Sequence, residues 1–506
     1  MPTLQLDRAP SSSMRGGARG SHFLIAGIVS IALGLITLIA LSSATSALSA
    51  TTVASLTIYG LLLAALFMTS PRFLCLGNLF GVFWTIWFPL RLLVIQSDRT
   101  NAALHPLVRA ASDGELAVVW LVSLLGFAAF ACSVLIVRRR RGSTRTTAAV
   151  PNLPRSTYIM IAIVGLAMSW VQVLTHVQSG IFGEAGNVFL LGIGGAAFLD
   201  ARDRRWSWMV PMLVGAGAFL GVVTWFKGTA MTPILAWGIA SVLGGLQLSR
   251  PKILATVMIA LVAFAGVQGE RLTASGDPFE GARAALFDYD LTTGLPSAQP
   301  NAAAAVANLL AGVMNRTAGA DALLIVRAKT PAVVPFQGGR TLWQPAASIM
   351  PGARRFIDAD LNQLSLGRFF SNRFWSVTPG QDFSSQAITL PGDLYLNFGL
   401  LGVALGMLMI GFLVSAIERR FPSGTALGAG VLGYVGLPLV TVDSNVAFAL
   451  MTSGIRLVVV FALVGLLKLG GSRFRPLALR HTAHPARDIS SPSSIQLATR
   501  GEPRTA

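Results

Sequence analysis

The chain has 506 residues, of which 53% are hydrophobic and only 12% are charged. A soluble protein of this length needs many more polar side chains to cover its surface, so the composition excludes a soluble globule and indicates an integral membrane protein. The formal net charge of +18 does not by itself indicate nucleic-acid binding, because arginine and lysine collect in the cytoplasmic loops of multi-pass membrane proteins.

Twelve apolar stretches are predicted to be membrane-spanning helices, because about 20 apolar residues cross a hydrocarbon core of roughly 30 Å. The expected fold class is therefore an all-α polytopic membrane protein with about 12 transmembrane helices. The first stretch is followed by "ALSA", which is typical of a signal-peptide cleavage site, but its length favours a retained span. The stretches lie near residues 23–43, 51–69, 74–95, 116–137, 157–176, 186–199, 208–226, 230–248, 253–268, 393–416, 424–441 and 445–468.

The basic residues lie almost entirely on one side of these predicted spans. With a cytoplasmic N-terminus, the cytoplasmic segments hold 24 basic residues and the short opposite loops hold three. The positive-inside rule then predicts that both termini are cytoplasmic. The predicted organisation is a cytoplasmic tail at 1–22, spans one to nine within 23–268, an extracytoplasmic loop at 269–390, spans ten to twelve within 391–470, and a disordered cytoplasmic tail at 471–506.

The loop between the ninth and tenth spans is predicted to fold, because it holds ten basic and nine acidic residues, several aromatic residues and many Pro and Gly turns. We expect it to be mainly helical, with helices at 301–314 and 320–328 and a short amphipathic helix at 361–375. A loop of this length in a compact protein usually carries function.

Two arginines fall in the middle of predicted spans, Arg91 in "FPLRLLV" and Arg456 in "SGIRLVV". A charge within the bilayer is costly unless it faces a cavity or a partner anion, so these positions indicate an anionic ligand such as a lipid diphosphate. Snorkelling to the headgroups is the alternative for Arg91. Lys227 in "WFKGTAMTPIL" either holds a phosphate together with the backbone amides of the following helix or anchors that helix at the interface.

The acidic residues outside the large loop cluster at helix ends and in loops, and the two halves of the chain show no convincing repeat, so a coupled transporter is not the first interpretation. These acids are Glu184, Asp200, Asp393, Glu418 and Asp443.

A segment beginning at Pro391, "PGDLYLNFGLLGVALGMLMIGFLVSAIERR", resembles the one that follows the large outer loop in bacterial O-antigen and exopolysaccharide repeat-unit polymerases of the Wzy type, which are related to O-antigen ligases. The "WFKGTAMTPIL" segment is similar to the glycine-basic element of these families, with Lys227 where arginine is more usual. The resemblance covers the overall plan of the chain and these two short motifs.

The resemblance implies glycosyl transfer with inversion at the outer face of the bacterial cytoplasmic membrane. A glycan on undecaprenyl diphosphate would be transferred to the sugar hydroxyl of a lipid-linked repeat unit, without a metal, a cofactor or a nucleotide sugar. The implied partners are undecaprenyl-diphosphate-linked oligosaccharides, the lipid bilayer, and the chain-length regulator and flippase of the same pathway, with no nucleic acid.

This reaction needs cations for the departing diphosphate and a base for the acceptor hydroxyl. The predicted diphosphate-binding residues are Arg91, Lys227, Arg456, Arg340, Arg354, Arg355, Arg368 and Arg373. The carboxylate candidates for the base are Asp358, Asp360, Asp382 and Asp393. Asp393 is equally suited to cap the tenth helix, and His105 and His176 at helix ends are more typical of structural histidines.

Several other classes of site are not indicated. The first outer loop reads "SSATSALSA" and has no acidic pair, so a metal-dependent lipid-phosphosugar transferase is not expected. Cys75 and Cys132 both fall in apolar segments, and no zinc-ligand spacing or nucleotide-binding glycine loop occurs. The alternatives that the residues leave open are a ligase that transfers a glycan from lipid diphosphate to another acceptor, and a transporter or flippase of a lipid-linked or anionic solute.

Overall fold

The computed structural model describes residues 47–139 without 71, 98 and 100–103, residues 153–246 without 176–183, 185, 206, 225 and 226, residues 318–343, residues 366–375, and residues 388–473 without 441–443. The chain divides into a unit of residues 1–460 and a small unit of residues 461–506 that begins within the last helix. The described residues are mostly helical and contain no strand, and six of their helices are long and apolar enough to cross a membrane.

Thirteen helices of the described segments are numbered here in chain order. They are α1 (Ala47–Thr69), α2 (Leu76–Ser97), α3 (Pro106–Arg109), α4 (Asp113–Arg139), α5 (Arg155–Thr175), α6 (Phe189–Arg202), α7 (Met209–Val223), α8 (Lys227–Leu243), α9 (Gly319–Lys329), α10 (Leu366–Phe370, continued by a π turn at Ser371–Trp375), α11 (Leu390–Arg420), α12 (Ala426–Val440) and α13 (Val446–Arg473). The six candidate spans lie in α1, α2, α4, α5, α11 and α13.

These six helices confirm the predicted spans near 51–69, 74–95, 116–137, 157–176, 393–416 and 445–468 as long apolar helices. The stretches near 186–199, 208–226, 230–248 and 424–441 are helical but shorter than 18 residues. The predicted spans at 23–43 and 253–268 and the helix at 301–314 lie outside the described residues, so the count of twelve stays a prediction.

Helix α4 shows how local chemistry fixes the helix ends. Ser112 and Glu115 form a capping box, in which the backbone N–H of Ser112 donates to Glu115 Oε2 at 2.8 Å and that of Glu115 donates to Ser112 Oγ at 3.3 Å. Acidic residues occupy the first turn and Arg138 and Arg139 the last, which matches the helix macrodipole at both ends.

The centre of the bundle is the packing of α4 against α1 and α11. Aromatic rings fill the space between α2 and α4, with Phe80 stacked on Phe130 at 3.9 Å between centroids. At the crossing of α4 with α11, a Cβ added to Gly411 would lie 2.6 Å from the carbonyl oxygen of Phe130. The glycine therefore permits the close approach of the two backbones.

Two ends of the bundle are distinguished by the residues found there. The loop end is where α2 ends at Ser97 and α4 begins at Asp113, and here α9 packs against α2, α3, α4, α10 and α11. The arginine end is where α4 ends at Arg139 and α11 ends at Arg420.

Helix α2 is irregular just before its arginine. Pro89 has no N–H to donate, and the helix forms a π turn at Ile86–Leu90. This π turn directly precedes Arg91, which is buried.

Candidate functional site

Helix α9 carries a buried acid that pairs with Arg91. The Nε and Nη2 atoms of Arg91 donate to Oδ1 and Oδ2 of Asp321, both at 2.8 Å. The two side chains are only 3% and 5% exposed. A bidentate pair of this kind neutralises both charges where water is excluded. It also joins α9 to α2, across 230 residues of sequence.

Arg456 is also paired with an acid. Its Nε donates to Glu184 Oε2 at 2.6 Å and its Nη1 donates to the carbonyl oxygen of Tyr434 at 2.6 Å. The guanidinium lies over the Tyr434 ring, 5.1 Å from its centroid, and the tyrosine hydroxyl donates to the backbone carbonyl of Glu184 at 2.7 Å. Arg456 therefore joins α13 to α12 and to Glu184, which lies five residues before α6.

Asp393 is fully buried in the first turn of α11 and accepts three hydrogen bonds. Thr341 Oγ1 and Asn397 Nδ2 donate to Oδ1 at 2.6 and 3.0 Å, and the backbone N–H of Val446 donates to Oδ2 at 2.9 Å. Among the described residues Asp393 has no cationic partner. Its carboxylate joins α11, the segment after α9 and the first residue of α13.

Asp393 caps a different helix from the one that the sequence led us to expect. Thr389 caps α11, because its side chain accepts from the backbone N–H of Gly392 at 3.3 Å. Asp393 instead accepts from Val446, the first residue of α13, where the positive end of the helix dipole stabilises a carboxylate.

Helix α11 is broken at Gly399, whose φ of 65° and ψ of −151° are not helical. The carbonyl groups of Leu396 and Asn397 accept from the backbone N–H groups of Gln337 and Gly338 at 3.0 and 3.1 Å. The Asn397 side-chain oxygen accepts from Gly339 N–H at 2.9 Å. The break leaves these carbonyl groups without donors inside the helix, and the segment 337–341 supplies the donors instead.

His105 and Lys329 hold α10 at the loop end. His105 Nδ1 accepts from the backbone N–H of Leu107 at 3.2 Å, its Nε2 lies 3.4 Å from the carbonyl oxygen of Trp375, and the two rings meet edge to face. Burial lowers the pKa of His105, so the ring is neutral near pH 7 and Nε2–H is the donor. Lys329 Nζ donates to the carbonyl oxygen of Phe374 at 2.8 Å. His105 is therefore structural.

The remaining predicted residues are only partly placed. Arg340 and Arg373 are exposed, at the ends of the segments that begin with α9 and α10. The backbones of Lys227 and Arg368 lie in α8 and α10, but their side chains are outside the described part. Also outside it are Arg354, Arg355, Asp358, Asp360, Asp382 and His176.

Arg91 and Arg456 are paired with different acids, Asp321 and Glu184. Arg456 lies ten residues along α13 from Val446, about 15 Å from the turn held by Asp393. Two cavities of about 390 and 310 Å³ lie elsewhere, and neither is lined by Arg91, Arg456 or Asp393. A shared diphosphate site for the predicted cations stays a prediction.

A third buried ion pair lies at the arginine end. Arg138 Nη2 is 3.3 Å from Glu418 Oε2, and Arg138 Nη1 donates to the carbonyl oxygen of Leu66 at 2.6 Å. Cys75 Sγ accepts from Arg138 at 2.9 Å, and burial raises the pKa of this thiol to about 11. The thiol therefore stays protonated at neutral pH and acts as packing.

The sequence marked Arg91, Arg456 and Asp393 as candidate site residues but did not indicate the residues that contact them. Asp321 was inside a predicted helix, and the one available signal was a lone acid in an apolar helix. Thr341 and Asn397 carry no local signal, because their roles depend on the contact between two distant segments. Among the described residues, no group of three His, Cys, Asp or Glu side chains is placed to hold a metal ion.

Comparison with known proteins adds no family to this description. No protein-family model, curated protein or solved structure shows significant similarity to the chain.

Proposed function

We propose that the protein polymerises lipid-linked oligosaccharide repeat units at the outer face of a bacterial cytoplasmic membrane. The observation that carries the proposal is Asp393, a buried carboxylate with no cationic partner among the described residues. It lies in the motif that resembles the Wzy-type polymerases, directly under the segment 337–341. A membrane-buried acid without a counter-charge is costly and marks a function.

In the proposed reaction Asp393 is the base. The acceptor sugar hydroxyl loses its proton to the carboxylate, and its oxygen attacks the anomeric carbon of the donor glycan with inversion. The bond from that carbon to the diphosphate oxygen breaks, and undecaprenyl diphosphate leaves with the electron pair. Because Thr341 Oγ1 donates to Oδ1, the acceptor hydroxyl takes its place when the segment 337–341 is displaced.

The proposed topology places the loop end outside the cell and the arginine end in the cytoplasm, with about 12 spans and both termini cytoplasmic. This orientation agrees with the basic residues at the ends of α4 and α11. It also leaves the exposed guanidinium groups of Arg340 and Arg373 on the side where a lipid diphosphate is presented. They belong to the proposed diphosphate-binding set together with Lys227, Arg354, Arg355 and Arg368.

Arg91 and Arg456 take a narrower part in this proposal. Each is already neutralised by an acid, Asp321 or Glu184, so their charges hold α9 and α12 in position. The departing diphosphate is then stabilised by the other cations of the predicted set.

Transport of a lipid-linked or anionic solute is the second candidate. A broken membrane helix beside a buried acid, as at Gly399 and Asp393, is typical of substrate sites in secondary transporters. A ligase would use the same chemistry as the polymerase with a different acceptor, so only the product distinguishes these two enzymes.

The test uses the purified full chain in liposomes with an undecaprenyl-diphosphate-linked tetrasaccharide. The polymerase yields a ladder of longer glycans on lipid, and Asp393→Asn lowers the rate at least about 100-fold, the usual contribution of a general base. The matched control is Asp113→Asn, which removes an exposed acid of the loop end that pairs with Arg99. Its rate stays within about two-fold of wild type.

Folding is checked by gel filtration and thermal denaturation of both variants. If Asp393→Asn unfolds, Asp393→Glu, which keeps a carboxylate, retains part of the activity and its acidic limb in the pH-rate profile. A wild-type rate in folded Asp393→Asn contradicts the proposed base. Movement of the lipid-linked tetrasaccharide between leaflets without a new glycosidic bond identifies a transporter, and transfer only to an added non-repeat acceptor identifies a ligase.

A further inference from the structure

A cavity of about 390 Å³ lies where α6 and α8 end and α7 begins, remote from Asp393. It is at the arginine end, because Arg72 Nη1 donates to the carbonyl oxygen of Leu243 at the end of α8. The apolar floor comes from alanine, valine and leucine side chains. The polar lining consists of Asp200, Arg204, Arg205, Ser207, Trp237 and Ser241. This volume is typical of a small-ligand site.

The one acid of this cavity is occupied by an arginine outside the lining. Asp200 receives both Nε and Nη2 of Arg155. Among the described residues, the guanidinium groups of Arg204 and Arg205 have no acidic partner. Three guanidinium groups around one carboxylate leave an excess of two positive charges.

Ser241 provides a second, independent observation. The residue is only 4% exposed and it lines the cavity. The indole of Trp237 lines the same wall. A serine hydroxyl in this wall can donate to an acceptor oxygen of a molecule in the cavity.

The backbone holds Arg204 in a position that usually belongs to glycine. The N–H groups of Arg204 and Arg205 donate to the carbonyl oxygens of Ala201 and Asp200 at 3.3 and 2.9 Å, which is the Schellman pattern that ends α6. Arg204 is the left-handed residue of this pattern, with a φ of 53°, where glycine is strongly preferred. An arginine kept at such a position points to a use for its side chain.

We propose that this cavity binds a phosphate group, held by Arg204 and Arg205 with a hydrogen bond from Ser241. Guanidinium groups bind phosphate oxygens through paired N–H donors. The Schellman hydrogen bonds already occupy the final backbone carbonyls of α6. The side-chain donors of the cavity therefore determine its preference for an anion. The site is distinct from Asp393 and is independent of the proposed polymerase activity.

The phosphate belongs either to an anionic phospholipid headgroup or to a free phosphate compound. The side chains of Trp208 and Met212, at the start of α7, are 70% and 71% exposed, as is usual at a membrane interface. Basic pockets between membrane helices bind lipid headgroups in this way.

Two probes separate these sources, both with the purified full chain in detergent. Native mass spectrometry measures binding of phosphatidylglycerol, and ³¹P line broadening measures binding of inorganic phosphate to delipidated protein. The double variant Arg204→Gln/Arg205→Gln is expected to weaken binding of the probe at least ten-fold. Ser241→Leu, which fills the cavity without changing charge, is expected to weaken it by a similar factor.

The control is Arg202→Gln, which removes one positive charge from the same stretch of chain. Arg202 is paired with Asp203 and does not line the cavity, so its variant stays within two-fold of wild type. Loss of phosphatidylglycerol binding in this pattern supports a lipid headgroup, and the same pattern with inorganic phosphate alone supports a free phosphate compound. Equal losses in the control and the double variant, or no binding of either probe, overturn the proposal. Because Arg204 and Arg205 are exposed, their variants test binding without removing a folding contact.

Discussion

Gly399 has a backbone conformation that no other residue type adopts readily. Its φ of 65° and ψ of −151° lie in a region open essentially to glycine alone. The break exposes the Leu396 and Asn397 carbonyls to the N–H groups of Gln337 and Gly338. One glycine therefore determines where the segment 337–341 docks on α11.

We predict that Gly399→Ala lowers the free energy of unfolding by about 2 kcal/mol, because a Cβ strains this conformation. Thermal denaturation in detergent measures the change. Gly454→Ala is the matched control, since Gly454 lies in a membrane helix with no atom within 4 Å of an added Cβ. The control is expected to be neutral or slightly stabilising. Equal effects of the two substitutions would show that the break at Gly399 carries no strain.

Helix α9 is bound to the bundle by burial and by one ion pair. All of its residues from Gly319 to Val326 are buried, and a Cβ on Gly319 would lie 3.1 Å from the carbonyl oxygen of Trp87. A buried helix tolerates an acid only when a positive charge neutralises it. Arg91 neutralises Asp321 through two hydrogen bonds. The pair sets the register of α9 against α2.

We predict that Asp321→Asn destabilises the protein by about 3 to 5 kcal/mol, because it leaves Arg91 charged and unpaired in an apolar site. The double variant Arg91→Gln/Asp321→Asn is expected to cost less than the sum of the two single changes, since it removes both charges. Denaturation of the four proteins of this cycle measures the coupling. The exposed pair Arg99 and Asp113 is the control.

For that exposed pair, the same cycle should give a coupling of about 1 kcal/mol or less. Additive effects of the Arg91 and Asp321 changes would contradict a coupled ion pair. A coupling confined to the buried pair would show that α9 is held in the bundle by its charge as well as by apolar burial.

The distribution of charge between the two ends predicts the orientation of the protein in the membrane. Cysteine introduced by Ala332→Cys, at an exposed position after α9, should react with a membrane-impermeant maleimide on intact bacterial cells. Cysteine introduced by Arg419→Cys, at the exposed end of α11, should react only after permeabilisation. The opposite labelling pattern would reverse the proposed topology.

The native cysteines give little background in this measurement. Cys75 is buried with a raised pKa, so it has little reactive thiolate. Cys132 is exposed on the surface of a candidate span, where the bilayer shields it from a charged reagent. The unmodified chain should therefore remain unlabelled before and after permeabilisation.

Sequence patterns predicted the long helices well, because length and hydropathy are local properties. The stretch expected at 116–137 is α4, Asp113–Arg139, and the stretch expected at 393–416 is α11, Leu390–Arg420. The same patterns did not reveal the break at Gly399, since a glycine in an apolar run is usually a packing residue.

The acidic partners of Arg91 and Arg456 could not be predicted from the sequence either. Arg91 meets Asp321 and Arg456 meets Glu184 across 230 and 272 residues, and no spacing rule connects positions so far apart. Only their positions in the middle of predicted spans marked the two arginines as unusual. Whether such a charge binds a ligand or an internal acid depends on the tertiary fold.

The hydrogen bonds between the segment 337–341 and the broken helix α11 also bear on how the nascent chain matures. The amides of Gln337, Gly338 and Gly339 leave the ribosome roughly 60 residues before Asn397, a delay on the order of several seconds during synthesis. Their acceptors exist only after α11 has been inserted. Biogenesis of this part of the protein must therefore run against chain order, with the later helix providing the template on which the earlier segment settles.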